Sequence, residues 1–172
     1  MAAEQQRIDE DMVRYFVWAI WNFFSKTSNI DPDVEAPYLL KDFSHNDYTG
    51  VIGISGSQQG AVYFTMGRDL LIDLYNNHYA KSLGDFLDEG NREEFDALLA
   101  DSAGEMANTV SGNVRNFLGG NFLISTPAVF RSPDTPLFLP KENLGIVFPI
   151  KWKEHLCHIV VSLKPSTEEQ EK

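Results

Sequence analysis

The chain has 172 residues, a formal net charge of −11, and a composition 43% hydrophobic and 23% charged. That length favours one domain over 1–172, with loose tails at 1–8 and 165–172, and that composition can build a core. The acidity argues against nucleic acid and against an anionic membrane surface, since both need clustered Lys and Arg. The one cysteine, Cys157, cannot form a disulfide within the chain. No basic segment followed by an apolar core and a cleavage site opens the sequence, so the expected compartment is the reducing cytoplasm.

In chain order, Asp9 to about Ser28 reads as a helix with acids in its first turn. Val13, Phe16, Val17, Ile20, Trp21 and Phe24 make its apolar stripe, and Tyr15, Trp18, Ala19 and Phe23 widen it. Such a helix is sandwiched in the core, the preferred reading, or shared with another subunit. Arg14 and Asn22 interrupt the run, which is shorter than the roughly 20 apolar residues a membrane span needs. Pro32 and Pro37 end the pattern, and Tyr38–Phe43 is a candidate short strand.

Tyr48–Ser55 and Ala61–Met66 are β-rich runs around Gly-Ser-Gln-Gln-Gly, a hairpin with Gly56 and Gly60 relieving the turn. A phosphate-binding loop is disfavoured there, because a strand follows and the lysine is missing. Arg68–Ala80 is a second helix with Leu70, Leu71, Leu74 and Tyr75 as its buried side. A polar, acidic connector leads to Asn91, an expected N-cap with Glu94 completing a capping box. The third helix runs to about Leu118, where Gly119-Gly120 stops it. Three strands follow, Phe122–Phe130, Leu144–Trp152 and His155–Leu163, the last pair joined by a tight turn near Lys153-Glu154. The order of elements predicts an α+β fold, a mainly antiparallel sheet packed with long helices.

The third helix carries an anomaly. At about 100° per residue, with Glu105 at zero, Asp101 falls near 320°, Asn108 near 300° and Gly112 near 340°. Leu99, Ser102, Met106, Val110, Val114 and Phe117 fall between roughly 60° and 180°. Glu105 and Asn108 therefore face solvent. A merely solvated face would favour good helix formers, yet Asn108, Thr109, Ser111, Gly112 and Asn113 are all poor ones. An internal glycine costs about 1 kcal/mol relative to alanine, and an exposed one lets another backbone come close. A docking surface accounts for that sacrifice.

The stretch Asp101 to Asn113, D-S-A-G-E-M-A-N-T-V-S-G-N, resembles the signature helix of the CheC/CheX/FliY phosphatases of bacterial chemotaxis. ISGSQQGAVYF (54–64) resembles that family's hairpin, and ISTPAVF (124–130) its following strand with a Thr-Pro. The similarity spans about residues 50–163. One Glu-x-x-Asn rather than two makes the chain CheX-like within the family. The resemblance implies hydrolysis of the phosphoaspartate of a CheY-type receiver domain. Asn108 would hold the attacking water and Glu105 would pair with the receiver's lysine, while Asp101 and Gly112 would contact the partner. Mg²⁺ would come with the receiver, so no cofactor bound by this chain is implied. A homodimer is implied as well. A non-catalytic receiver-binding adaptor of the same fold is the alternative, and an unrelated α+β ligand sensor a third reading.

On the second helix, Asp69, Asp73 and Asn76 repeat the spacing of Asp101, Glu105 and Asn108, with Ala80 in the place of Gly112. This reads as a relic or a solvated face. His155, Cys157 and His158 look like metal ligands, but alternation on a strand puts His158 opposite the other two, so no metal site is expected. Ser111 lacks a nucleophile elbow. Asp85, Asp88 and Glu89 lack the pattern of a calcium loop.

Overall fold

A computed structural model describes residues 10–40, 46–79, 91–131 and 144–165. Helix α1 is Glu10–Ser28, α2 is Arg68–Tyr79 and α3 is Arg92–Leu118. Among the described residues, eight strands form one sheet: β1 Asp33–Val34, β2 Tyr38–Leu39, β3 Tyr48–Gly56, β4 Gln58–Met66, β5 Phe122–Ile124, β6 Ala128–Arg131, β7 Leu144–Trp152 and β8 His155–Pro165. Their order is β1-β7-β8-β4-β3-β5, with β2 also on β7 and β6 also on β3, and every described pair is antiparallel. The fold is α+β, as the order of elements predicts.

The hairpin pairs from Tyr48↔Met66 to Ile54↔Gly60. Beyond that the strands part: Ser55 and Gly56 go to β5, and Gln58 and Gln59 go to β8. Gly56 makes the parting possible at φ 96, a backbone state open to glycine. The predicted strand over 122–130 is two strands. Ser125 breaks it, its Oγ accepting from the Gly53 N–H (2.9 Å) and donating to the Thr126 carbonyl (2.8 Å). Pro127 follows, and a proline cannot donate to a ladder. Strand β1 is not legible in the sequence, because only two residues pair, between Pro32 and Pro37.

The predicted capping box also differs. Asn91 sits at φ −114, ψ 17, and its side chain makes no capping bond. A cap needs a β-region backbone to aim its oxygen at the first free N–H groups, and a ψ near zero turns it away. The predicted stop holds: Gly119, at φ 87, donates its N–H to the Arg115 carbonyl at 3.0 Å.

The main core lies between the helices and one face of the sheet. Phe16, Ile20 and Phe24 of α1, Leu99, Met106 and Val110 of α3, and Ile52, Phe64, Phe148, Ile150, Trp152 and Ile159 of the sheet are all buried in it. A smaller cluster, Tyr63, Val147 and Val160, covers the opposite face. The buried side of α1 is Met12, Phe16, Ala19, Ile20 and Phe24, rotated from the predicted stripe. Trp21 and Trp18 project outward, each 44% exposed, whereas small Ala19 between them is fully buried. Phe117, predicted to face the core, is 46% exposed. It is held at the surface by Tyr15, stacked at 5.0 Å, and Trp18, edge-on at 4.7 Å.

The predicted elements over 41–43, the connector with Asp85, Asp88 and Glu89, Ala80, the loop 132–143 and the tails lie wholly or partly outside the described residues. No helix among those described is long and apolar enough to cross a membrane.

Candidate functional site

The site is one face of α3, and what seats that helix fixes the face. Ala103, Gly104, Ala107 and Ser111 are all buried, in addition to Leu99, Met106, Val110 and Val114. With Glu105 again at zero, the four small residues extend the buried arc of the helix to roughly 260°. They lie against the sheet at backbone range. A Cβ on Gly50 of β3 would come within 3.2 Å of both the Ala103 carbonyl oxygen and the Ala107 Cβ. A Cβ on Gly104 would come within 3.3 Å of Val129 and 3.7 Å of Pro127. The interrupted strand β5–β6 thus supplies a shelf under α3. Sequence reasoning missed this underside because Gly, Ala and Ser carry little hydrophobic signal. The spacing of Gly104, Ala107 and Ser111, one turn apart, was the available clue.

A polar brace fixes the start of α3. Arg68, the first residue of α2, pairs with Asp96, which also accepts from the Tyr48 hydroxyl at 3.3 Å. The guanidinium lies 4.9 Å from the Phe95 ring centroid, and the Arg68 N–H donates to Asp47 at 2.8 Å. Burial first, and then the Asp96 carboxylate, push the Tyr48 phenol above its usual range. The hydroxyl stays a donor at neutral pH.

On the opposite side of α3, Asp101, Glu105 and Asn108 are exposed and Gly112 is half-buried. Glu105 and Asn108 stand one turn apart, a spacing that puts their Cβ atoms about 5–6 Å from each other. Among the described residues, neither side chain has a hydrogen bond or ion pair to the rest of the chain. A Cβ added at Gly112 meets nothing described within 4 Å. The glycine serves no internal packing, and the surface around it is open. The four residues singled out by sequence therefore share one outward face on a firmly seated helix.

The family model described as chemotaxis phosphatase CheX matches residues 48–151. The chain belongs to the CheX family. No curated protein matches it. Among solved structures, it is similar to CheX from Vibrio vulnificus, at 21% identity over 90% of this chain and 99% of that one, with a TM-score of 0.74. CheX from Desulfovibrio desulfuricans matches at 24% identity over 90% and 99% of the two chains, with a TM-score of 0.74. The CheX–CheY complex with BeF3 and Mg from Borrelia burgdorferi matches at 18% identity, covering 92% and 99%, with a TM-score of 0.74. At these identities the likeness is one of fold.

The near-copy on α2 has a different place in this CheX-family chain. Asp73 is held by the turn between β7 and β8: His155 Nε2 lies 2.9 Å and Lys153 Nζ 3.4 Å from its Oδ2. The bond to His155 leads in holding the Asp73 carboxyl below its usual range, with Lys153 adding to it. Asp73 is thus a clasp between α2 and the sheet, engaged where Glu105 is open. Sequence spacing could not reveal a partner 82 residues away.

Asp73, Glu154 and His155 have ligand atoms within 4.8 Å of one another. The Lys153 ammonium already occupies the carboxylate, over the Trp152 ring at 4.6 Å. A metal ion there would have to displace a cation in place. The other two residues weighed as ligands are separated: Cys157 is buried on the helix side, its thiol pushed up to about 12 by burial, and His158 is half-buried on the opposite face. Burial lowers the His158 pKa.

Proposed function

We propose that this chain is a phosphatase that hydrolyses the phosphoaspartate of a CheY-type receiver domain, using Asn108 to place the attacking water. The observation that carries the reading is the pairing of an exposed, unengaged carboxylate and carboxamide one turn apart on α3 of a CheX-family chain. The Borrelia structure, in which a CheX protein is complexed with CheY, supports the choice of partner.

In the proposed reaction the water oxygen forms a bond to phosphorus as the bond from phosphorus to the aspartyl oxygen breaks. Free aspartate and inorganic phosphate result, and the water's proton leaves with the phosphate or solvent. The Asn108 carboxamide suits the task because it orients a water without presenting negative charge to the phosphoryl group, as a carboxylate would. Glu105 forms a charge-assisted pair with the receiver's lysine and so sets the register in which Asn108 enters. Asp101 and Gly112 border the contact. The Mg²⁺ that neutralises phosphoryl charge is the receiver's, and the reading needs none from this chain. The proposal includes a homodimer acting in the cytoplasm, with the mass measurable by sedimentation.

The test is loss of phosphate from a phosphorylated CheY-type receiver. Asn108→Ala should remove most of the acceleration while still binding the receiver charged with beryllofluoride. Undiminished turnover by Asn108→Ala would remove the mechanism. Tight binding without acceleration by the wild type would favour an adaptor.

A further inference from the structure

Glu105 has a second neighbourhood. On the wheel of α3 it stands about 60° from Asn108 on one side and about 60° from Ser102 on the other. On the Ser102 side, α1, α2 and α3 enclose a cleft open at the surface, with a volume of ≈ 50 Å³. Its floor is Leu71, Leu74 and Met106, all buried, its walls are Phe23 and Thr27 of α1 and Ser102 of α3, and Glu105 forms its rim. The Ser102 hydroxyl already donates to the Leu98 carbonyl at 3.0 Å. The floor offers no hydrogen bond, whereas a stable internal water wants two to four polar partners.

We propose that this cleft receives the tip of one aliphatic side chain of the phosphorylated receiver, a Leu, Ile, Val or Met beside its phosphorylated pocket. The proposal rests on the reading of Glu105 and Asn108 above, because a partner engaged by Glu105 necessarily stands over the cleft's rim. Size selects the occupant. The volume is well below the roughly 150 Å³ of a cavity that encloses a benzene ring, yet above the roughly 10–15 Å³ that one water needs. An aliphatic tip would be enclosed, whereas a whole aromatic ring would stand largely outside the cleft. Chemistry agrees, since a charged head would lose its hydration against a leucine and methionine floor. Receivers share the phosphoaspartate and its lysine, so contacts there cannot distinguish one from another. A neighbouring apolar socket can.

Filling the socket from within is the test. Ser102→Leu occupies it from α3, and Thr27→Leu does so from α1, leaving Glu105 and Asn108 in place. With a receiver whose dephosphorylation the wild type accelerates, each variant should raise KM about tenfold, the loss expected for about two buried methylenes. Its kcat should not change, and its melting temperature should stay level or rise. Truncating the matching aliphatic residue of the receiver to alanine should raise the wild-type KM and have no further effect on Ser102→Leu. An unchanged KM in folded variants overturns the socket and makes the cleft a packing gap. An unchanged KM with altered sedimentation overturns it in favour of a second copy. A fall in kcat alone overturns it as a disturbance of α3. No acceleration by the wild type of any receiver overturns the phosphatase reading, and the socket with it.

Discussion

Gly112→Ala should make this protein more stable and less active. Gly112 lies inside α3, and a Cβ built there meets nothing described within 4 Å. The folded chain therefore accepts a methyl without strain, and the helix gains about 0.8–1 kcal/mol in intrinsic propensity. For a protein of this size, that corresponds to about 2–4 °C in melting temperature. In the proposed complex, the same methyl would stand between α3 and the receiver backbone. Overpacking a close contact costs about 1–3 kcal/mol, or roughly 5- to 150-fold in kcat/KM. The assay pairs thermal melting with phosphate release from a CheY-type receiver at subsaturating concentration. A raised melting temperature with unaltered kcat/KM would refute the reasoning, placing Gly112 outside the contact.

Other expectations follow from particular contacts. Glu105→Gln should keep the fold but weaken binding to a beryllofluoride-charged receiver by about tenfold, which titration calorimetry can measure. Asp73→Asn should lower stability by no more than about 1 kcal/mol at neutral pH, because the clasp is part-exposed. The Asp73 carboxyl is depressed when folded, so its contribution is present above the usual value of 3.8 and lost as pH falls through the folded value. Wild type and Asp73→Asn should therefore differ in urea denaturation at pH 7 and converge in strong acid. Gly56→Ala places a Cβ 1.8 Å from the Asn121 carbonyl oxygen at φ 96, so it should destabilise by about 3 kcal/mol or more, seen as an early melt.

The outward face of α3 was legible because charge and amide groups break an apolar period at a fixed angle. Asp101, Glu105, Asn108 and Gly112 all lie where that angle predicts. The underside was not legible. Ala103, Gly104 and Ala107 are as buried as Met106, but small residues leave no hydrophobic stripe to count. The α+β class and the paired strands β7 and β8 followed from long alternating runs, whereas β1 pairs through two residues and has no period. Asp73 shows the limit of spacing arguments. It repeats the position of Glu105 along its helix, and only the fold brings His155 and Lys153 to it. The same one-helix reading mistook Trp21 and Phe117 for interior residues, since a wheel carries no information on how closely a neighbour approaches.

The glycine and alanine seat beneath α3 also governs how such a surface can change over generations. A Cβ at Gly50 or Gly104 already comes within 3.2 or 3.3 Å of its neighbours, so a bulkier substitute below must push the helix or the sheet aside. At Gly112 on the outer side, by contrast, an added Cβ meets nothing described within 4 Å. Tolerance to substitution is therefore one-sided, tight against the sheet and loose at the exposed face.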